Sequence, residues 1–394
     1  MKNVIRIVIL ILVMCLSSCR KEVNIREWVS SVSDAPWLLM SLEGGAEWEG
    51  TASRSVTVHF DIGKVSRSIE GFGGQLDQKG WQAIACLSPE DRAAVLRELF
   101  VPGAGGNLAV CRISIGANQN DLESSSYDET DADFDLRHFS VAQDERWQIP
   151  YIKEILSQNP GIRLWAFPYT LPSWMRCDST WMTDELYLQT YVSYFCRFVD
   201  EYRLRGIGIH GILLNCESEL VTGRWMEARK GEGLEKFLHG LLPEMQKRNV
   251  VVDTTEANRE KNVGPAWAQL KRWLKRSARG GCDWMVAGID NVQNQQENSL
   301  VSLVKIDTLK RSYHFTAEYY LLKHLSHYVV PGAYLLEPGE DSYQDALAFV
   351  NPDKEVVVVA ANPRDESMEI LLEICGERRL FKMQPHSFHT WLCN

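Results

Sequence analysis

The sequence is poorest in the patterns that announce metals and cofactors. None of its ten cysteines falls in a C-x-x-C pair, which removes zinc-ribbon and thioredoxin-like readings. It contains no H-E-x-x-H run and no G-x-S-x-G elbow, so zinc proteolysis and acyl transfer lack their signatures. The glycine-rich turn Gly71-Phe72-Gly73-Gly74 has neither the dinucleotide spacing nor a P-loop lysine, and a phosphate cradle is set aside. No cofactor and no metal is expected. His324 and His327, three apart on a helical stretch with no carboxylate beside them, are expected on exposed surface. Basic charge is also short: the formal net charge is -10, which argues against nucleic acid, because phosphate binding needs a basic face. The one strongly apolar leader, Val8 to Leu16, is too short to span a bilayer.

What is present is an ordinary globular composition, 45% hydrophobic and 24% charged over 394 residues. That length accommodates two domains, or one barrel with an attachment. Thirteen Trp and thirteen Tyr are suggestive, since sugars stack their C–H faces on aromatic rings, although most such rings fill core. Setting aside Cys15 and Cys19, the cysteines are expected as buried free thiols, several lying inside apolar runs. At the N-terminus a short basic region around Lys2 and Arg6 precedes the apolar stretch, which ends Leu16-Ser17-Ser18-Cys19. This resembles a bacterial lipoprotein cleavage box. Residues 1–18 are then a signal peptide and Cys19 the lipidated residue, holding the chain to the cell envelope without a spanning helix. Arg20 after it points to the outer membrane. The competing reading is an ordinary cleaved signal in which Cys19 is incidental.

Residues 19–36 read as a tether and residues 37–69 as strands. Ser88-Pro89-Glu90-Asp91 opens a helix, with a capping Ser and a Pro at the first helical position. Strands are predicted at 108–115, 163–167, 209–214, 250–256 and 283–289, separated by amphipathic helices at about 149–156, 187–203, 234–247 and 267–276. Alternation of this kind predicts an α/β protein built on parallel strands. Each strand empties into polar residues, and in a (β/α)8 barrel the catalytic groups sit at that strand end. The stretch Gly211 to Leu220 is the sharpest example, because Ile212-Leu213-Leu214 stops at Asn215-Cys216-Glu217-Ser218-Glu219. From residue 333 the text is β again. Ser387-Phe388-His389-Thr390-Trp391 alternates as an edge strand would.

These pieces fall in the order of one family. GFGG at 71–74, Arg112-Ile113-Ser114-Ile115, Ser126-Tyr127 running into Phe139-Ser140, and Ile149-Pro150-Tyr151-Ile152-Lys153 all take part. So do Pro168-Tyr169-Thr170-Leu171-Pro172-Ser173-Trp174-Met175, Asn298-Ser299-Leu300-Val301, the segment Tyr319 to His327, and Pro331-Gly332-Ala333. Over most of residues 69–394 the chain resembles glycoside hydrolase family 30, the glucosylceramidase-like retaining β-glycosidases. The resemblance implies a (β/α)8-type TIM barrel over residues 70–332, incomplete here, and a small antiparallel β-sandwich. The sandwich would be built from both chain ends, with residues 333–394 supplying most of it. It also implies a carbohydrate or glycoside substrate.

Such an enzyme needs two carboxyls flanking the scissile bond, about 5–5.5 Å apart in the retaining case. By resemblance Glu217 takes the acid/base place and Glu256 the nucleophile place, with Arg112, Gln119, Tyr169, Trp174, Asn215 and Cys216 around the sugar. The departures are specific. Cys216 stands where the family has an Asn that binds the sugar 2-hydroxyl, and a thiol is a weak donor and acceptor. Ser218 replaces a Pro, Gln119 an Asp, Tyr169 a Trp, and Ala287-Gly288 a Trp-Asn. Only one helix and one strand fit between Glu217 and Glu256, where the family has two further strand–helix units. Either strands five and six are missing and Val250–Glu256 is strand seven, the favoured register, or it is strand five and the nucleophile is gone. Two functions stay open: a retaining β-glycosidase, and an inactive glycan-binding or structural surface lipoprotein on the same scaffold.

Overall fold

The computed structural model describes residues 25–31, 35–40, 46–47, 55–117, 125–176, 184–214, 232–254, 265–276, 284–290 and 301–393. Glu217, Glu256, Gln119, Asn215, Cys216 and Cys19 lie outside the described residues. The chain divides into two compact units, one running from Arg67 to Leu335 and the other taking the chain up to Ser31, Trp37–Ser66 and everything from Leu336 on.

The first unit is a curled, mostly parallel sheet. In spatial order its strands are Ser312–Phe315, Ser302–Asp307, Met285–Ile289, Gly73–Gln75, Val110–Ile115, Arg163–Pro168, Gly211–Leu213 and Val251–Asp253. Every neighbouring pair is parallel except the hairpin of Ser302–Asp307 with Ser312–Phe315. Helices carry the crossovers. The helix Pro89–Phe100 begins as its sequence demands, with the Ser88 side chain accepting from the Asp91 N–H at 3.0 Å and Pro89 in the first turn. Asp184 and Thr316 cap Glu185–Leu204 and Ala317–Ser326 in the same way. Val110–Ile115 is buried at every position, Arg112 and Ser114 included, as expected where a parallel strand is covered on both faces. Among the described residues the two edges of the sheet do not pair, so this is a TIM-type barrel left incomplete.

At the first strand the glycine run serves packing. A Cβ on Gly73 would stand 1.7 Å from the Val110 carbonyl oxygen, and one on Gly74 would stand 2.6 Å from that of Trp284. The backbones on either side come too close for any side chain.

The second unit is a sandwich built from both ends of the chain, mostly antiparallel as expected but with Val56–Ser68 and Met368–Ile374 paired in parallel. Its order runs Ala35–Met40, Ile25–Ser31, Ser387–Cys393, Val356–Asn362, Ala346–Val350, Tyr334–Pro338, Val56–Ser68, Met368–Ile374, Glu377–Met383 and Ala46–Glu47. The core gathers Val58, Phe60, Val358, Ile370, Leu372, Phe381 and Trp391, all buried. Two expectations are corrected together here. Residues 25–31 are a seven-residue strand and not part of a tether, paired in register from Ile25↔Cys393 to Ser31↔Ser387. Ser387–Cys393 is therefore an interior strand, flanked by Ile25–Ser31 and Val356–Asn362. Its alternation suggested an edge because His389 is polar. In the fold His389 is buried against Glu27 of the N-terminal strand, Nδ1 to Oε1 at 2.6 Å.

His324 is a third correction. It is fully buried, and His327 is half-buried with Nδ1 2.6 Å from the Gly105 carbonyl. The second half of the helix Ala317–Ser326 is sunk on all sides, so its histidines are packing groups. No helix among the described residues is long and apolar enough to cross a membrane.

Candidate active site

The parallel strands share one direction, so Ile115, Pro168, Leu213 and Asp253 all mark the same end of the sheet. The register aligns Arg112 with Trp165 and Leu213 with Asp253. Val110, Trp165, Phe167, Tyr169 and Leu213 form one cluster. The Arg112 guanidinium lies 5.3 Å from the Phe167 ring centroid, a cation–π geometry, and is only 7% exposed. Tyr169 meets the same Phe167 ring edge to face at 6.1 Å. Its backbone N–H donates to the Ile115 carbonyl at 3.1 Å. Arg112 and Tyr169, singled out from the sequence, are thus brought together around Phe167.

Trp174 belongs to a different cluster. Its ring meets Phe134 edge to face at 5.3 Å and Tyr187 at 6.0 Å, and its indole N–H donates to the Asp128 carbonyl at 3.1 Å. It locks the loop after the third strand to the loop after the second. Glu129 reinforces that lock by accepting from the Ser126 N–H at 2.8 Å and the Ser173 N–H at 2.9 Å. Partial burial pushes the Glu129 carboxyl up, but the hydrogen bonds from Ser173 and Ser126 outweigh it and hold the group below its ordinary range. Behind this loop Asp144 is buried and accepts from the Tyr127 hydroxyl at 2.6 Å and the Tyr202 hydroxyl at 2.7 Å. Burial, and then the Asp144 charge, push both phenols well above their usual range. They stay neutral donors, and the loop leaving the second strand is fixed from beneath.

Asp253, Glu129 and Asp144 are carboxylates that motif reading passed over. Asp253 is buried in register with Leu213. Glu129 sits in a loop and Asp144 in the short 3-10 helix Ala142–Arg146, where no period marks them.

The fourth and fifth places of the sheet matter most for chemistry. Leu214 N–H donates to the Asp253 carbonyl at 3.1 Å, so the chain leaves toward Glu217 and toward Glu256 from adjacent points. The strand Val251–Asp253 occupies the fifth place, directly beside Gly211–Leu213. No ladder joins it to Met285–Ile289 among the described residues, the pairing that a seventh strand makes with an eighth. Sheet order therefore accords with the fifth-strand register.

A curled parallel sheet with crossover helices, accompanied by a sandwich drawn from both chain ends, is the architecture of a barrel glycosidase. The profile of the glycosyl hydrolase family 30 TIM-barrel domain matches residues 69–262, and that of the family 30 β-sandwich domain matches residues 339–391. Together these span well over half of the chain, and it belongs to glycosyl hydrolase family 30. Among curated relatives, putative glucosylceramidase 2 of Caenorhabditis elegans is 25% identical over 53% of this chain and 41% of its own length. The chain thus spans less than half the length of that relative. Lysosomal acid glucosylceramidase of Mus musculus is 21% identical over 90% of this chain and 86% of its own. Among solved structures, an endo-β1,6-glucanase superposes with a TM-score of 0.73 at 18% identity, covering 94% of this chain and 99% of its own. That last likeness speaks to the fold alone.

Proposed function

We propose that this chain is a retaining β-glycoside hydrolase acting on β-linked glycans or glycosides, with Glu217 as general acid/base and Glu256 as nucleophile. The observation that carries this reading is the match to the family 30 TIM-barrel profile, whose residues 69–262 take in both Glu217 and Glu256. Arg112 and Tyr169 face the sugar from the cluster around Phe167, and Gln119, Asn215 and Cys216 take the remaining places, with Trp174 holding the loop above. The family relatives, glucosylceramidases by name, support a glycoside substrate.

The test is a screen of aryl β-glycosides and β-linked glucose oligosaccharides with the purified chain. Removing the acid/base as Glu217→Gln is expected to lower kcat/KM by about 10²–10⁴. Turnover unchanged by that substitution removes Glu217 from the mechanism. The fifth-place position of Val251–Asp253 favours a second reading, an inactive glycan-binding protein on the same scaffold. That reading requires oligosaccharide binding without turnover, identical in wild type and Glu217→Gln.

We further place the protein on the bacterial envelope, outer membrane side, through an acyl anchor at Cys19. Cys19→Ser is expected to move the chain from the membrane pellet to the soluble fraction and to abolish palmitate incorporation. Full retention in the pellet by the variant overturns the anchor.

A further inference from the structure

A cleft of about 420 Å³ opens between the helices Glu185–Leu204 and Glu232–Lys247 of the barrel unit. That volume falls within the roughly 300–1,000 Å³ of ligand sites. Val192, Cys196 and Asp200 line it from the first helix, four apart and so on one helix face. Glu244, in the last turn of the second helix, and Arg248, just past it, line the other side. Arg248 leads straight into the strand Val251–Asp253, so this part of the cleft lies at the strand starts. The strand ends that mark the candidate active site are at the opposite end of the sheet.

The lining is polar and already braced. Arg248 donates to both Asp200 carboxylate oxygens, from Nε at 3.0 Å and Nη2 at 2.8 Å, and from Nη1 to Glu244 Oε2 at 2.9 Å. Lys247 Nζ donates to Glu244 Oε1 at 2.5 Å. Each of these oxygens has a second lone pair to offer. Arg197 is exposed and donates from Nη2 to the Asp135 carbonyl at 3.2 Å, and a guanidinium carries further N–H groups. Phe134 also lines the cleft, half-buried and fixed edge to face against Trp174 at 5.3 Å and Tyr187 at 5.1 Å. The carboxylates of Asp135, Asp200 and Glu244 stand against the guanidiniums of Arg197 and Arg248. This near balance of charge gives an anion no net attraction, and so many charged groups suit no lipid chain. What fits is a neutral molecule that donates and accepts at many points and has one apolar face.

We propose that this cleft is a second saccharide site, taking a neutral mono- or disaccharide on the outer helical layer of the barrel. Phe134 is the platform for the C–H face of a ring, and Arg197 with the Asp200–Arg248–Glu244 array binds its hydroxyls. A sugar hydroxyl donates and accepts at once, so neighbouring hydroxyls match a carboxylate oxygen beside a guanidinium N–H. The existing ion pairs hold Arg248, Asp200 and Glu244 in place beforehand, which lowers the ordering cost of binding. A glycan held here leaves the strand-end face open. The inference needs neither Glu217 nor Glu256.

Cys196 makes the cleft its own reporter, being a free thiol of the lining. Burial pushes that thiol up to about 11, so iodoacetamide labelling of the full chain is run at about pH 9 and timed by mass spectrometry. Titration with methyl β-D-glucopyranoside or cellobiose is expected to slow Cys196 labelling along a saturating curve, about elevenfold at ten times the Kd. Labelling of Cys86, which lies outside the cleft, should not change. Arg197→Ala should weaken the protection about tenfold, the worth of one hydrogen bond to a charged group. Ser193→Trp, at an exposed position of the lining, should fill the cleft and abolish the sugar dependence. Glu217→Gln should keep the protection in full, so a failure of the catalytic reading leaves this one standing. Sugar that leaves the Cys196 rate unchanged, protects Cys86 equally, or protects Ser193→Trp as well as wild type overturns the proposal. So does glucuronate protecting as strongly as the neutral glucoside, which would mark an anion site.

Discussion

Replacing Gly73 by Ala is expected to destabilise the barrel unit by about 4 kcal/mol or more, at the exceptional end for a single substitution. The new methyl would lie 1.7 Å from the Val110 carbonyl oxygen and 2.7 Å from its carbon. Both atoms are backbone, so no rotamer change relieves the overlap. The first and second strands would have to separate by more than an ångström. That would cost the bonds from the Ala109 and Val110 N–H groups to the Phe72 carbonyl, 2.9 and 3.2 Å long. Gly103→Ala is the control. Its φ is +74° but nothing lies within 4 Å of the added methyl, so only the conformational cost of about 1 kcal/mol applies. Urea denaturation followed by circular dichroism separates the two. A Gly73→Ala protein within 1 kcal/mol of wild type would mean that the strands are not held this close.

The same glycines show how the fold could be read from sequence and where that reading stops. Strand and helix alternation was legible because buried parallel strands are continuous apolar runs with polar ends, and Ser88-Pro89 marks a helix start by itself. GFGG was legible as a family motif, but its physical cause is the approach of Val110 and Trp284 backbones, which no local pattern encodes. The strand Ile25–Ser31 was missed because its partner lies at the other end of the chain. Taking it for a tether then left Ser387–Cys393 without a neighbour and made it look like an edge. His324 was misplaced for a related reason, since a helix buried on nearly every side carries no stripe to orient it. At the candidate site Arg112 and Tyr169 could be chosen by motif, and the structure adds Phe167 as the ring that unites them. Asp253 escaped because a single carboxylate inside a short strand carries no motif. The fifth-place position of its strand depends on sheet order, which sequence spacing alone left between two registers.

The pairing that escaped notice also carries the second large effect. Glu27 and His389 are both nearly fully buried, 2% exposed each, and tie the first described strand to the last. His389 Nε2 lies 3.1 Å from the Ser387 hydroxyl, which itself donates to the Gln384 carbonyl at 2.6 Å. The Ser387 proton is thereby spent, so Nε2 must carry its own and donate it. A further proton lies between Nδ1 and Glu27, and the group is satisfied throughout. Truncating one partner leaves the other buried and uncompensated, a loss of about 3–5 kcal/mol. Glu27→Ala and His389→Ala are each expected to cost that much in urea denaturation of the sandwich. Replacing both with apolar residues of similar size, Glu27→Leu with His389→Leu, removes the uncompensated group along with the bond and is expected to recover most of the loss. The double-mutant cycle should return a coupling of about 2 kcal/mol. Additive losses in that cycle would show that Ile25–Ser31 is held by its backbone ladder alone, and that the buried pair contributes nothing to joining the two ends of the chain.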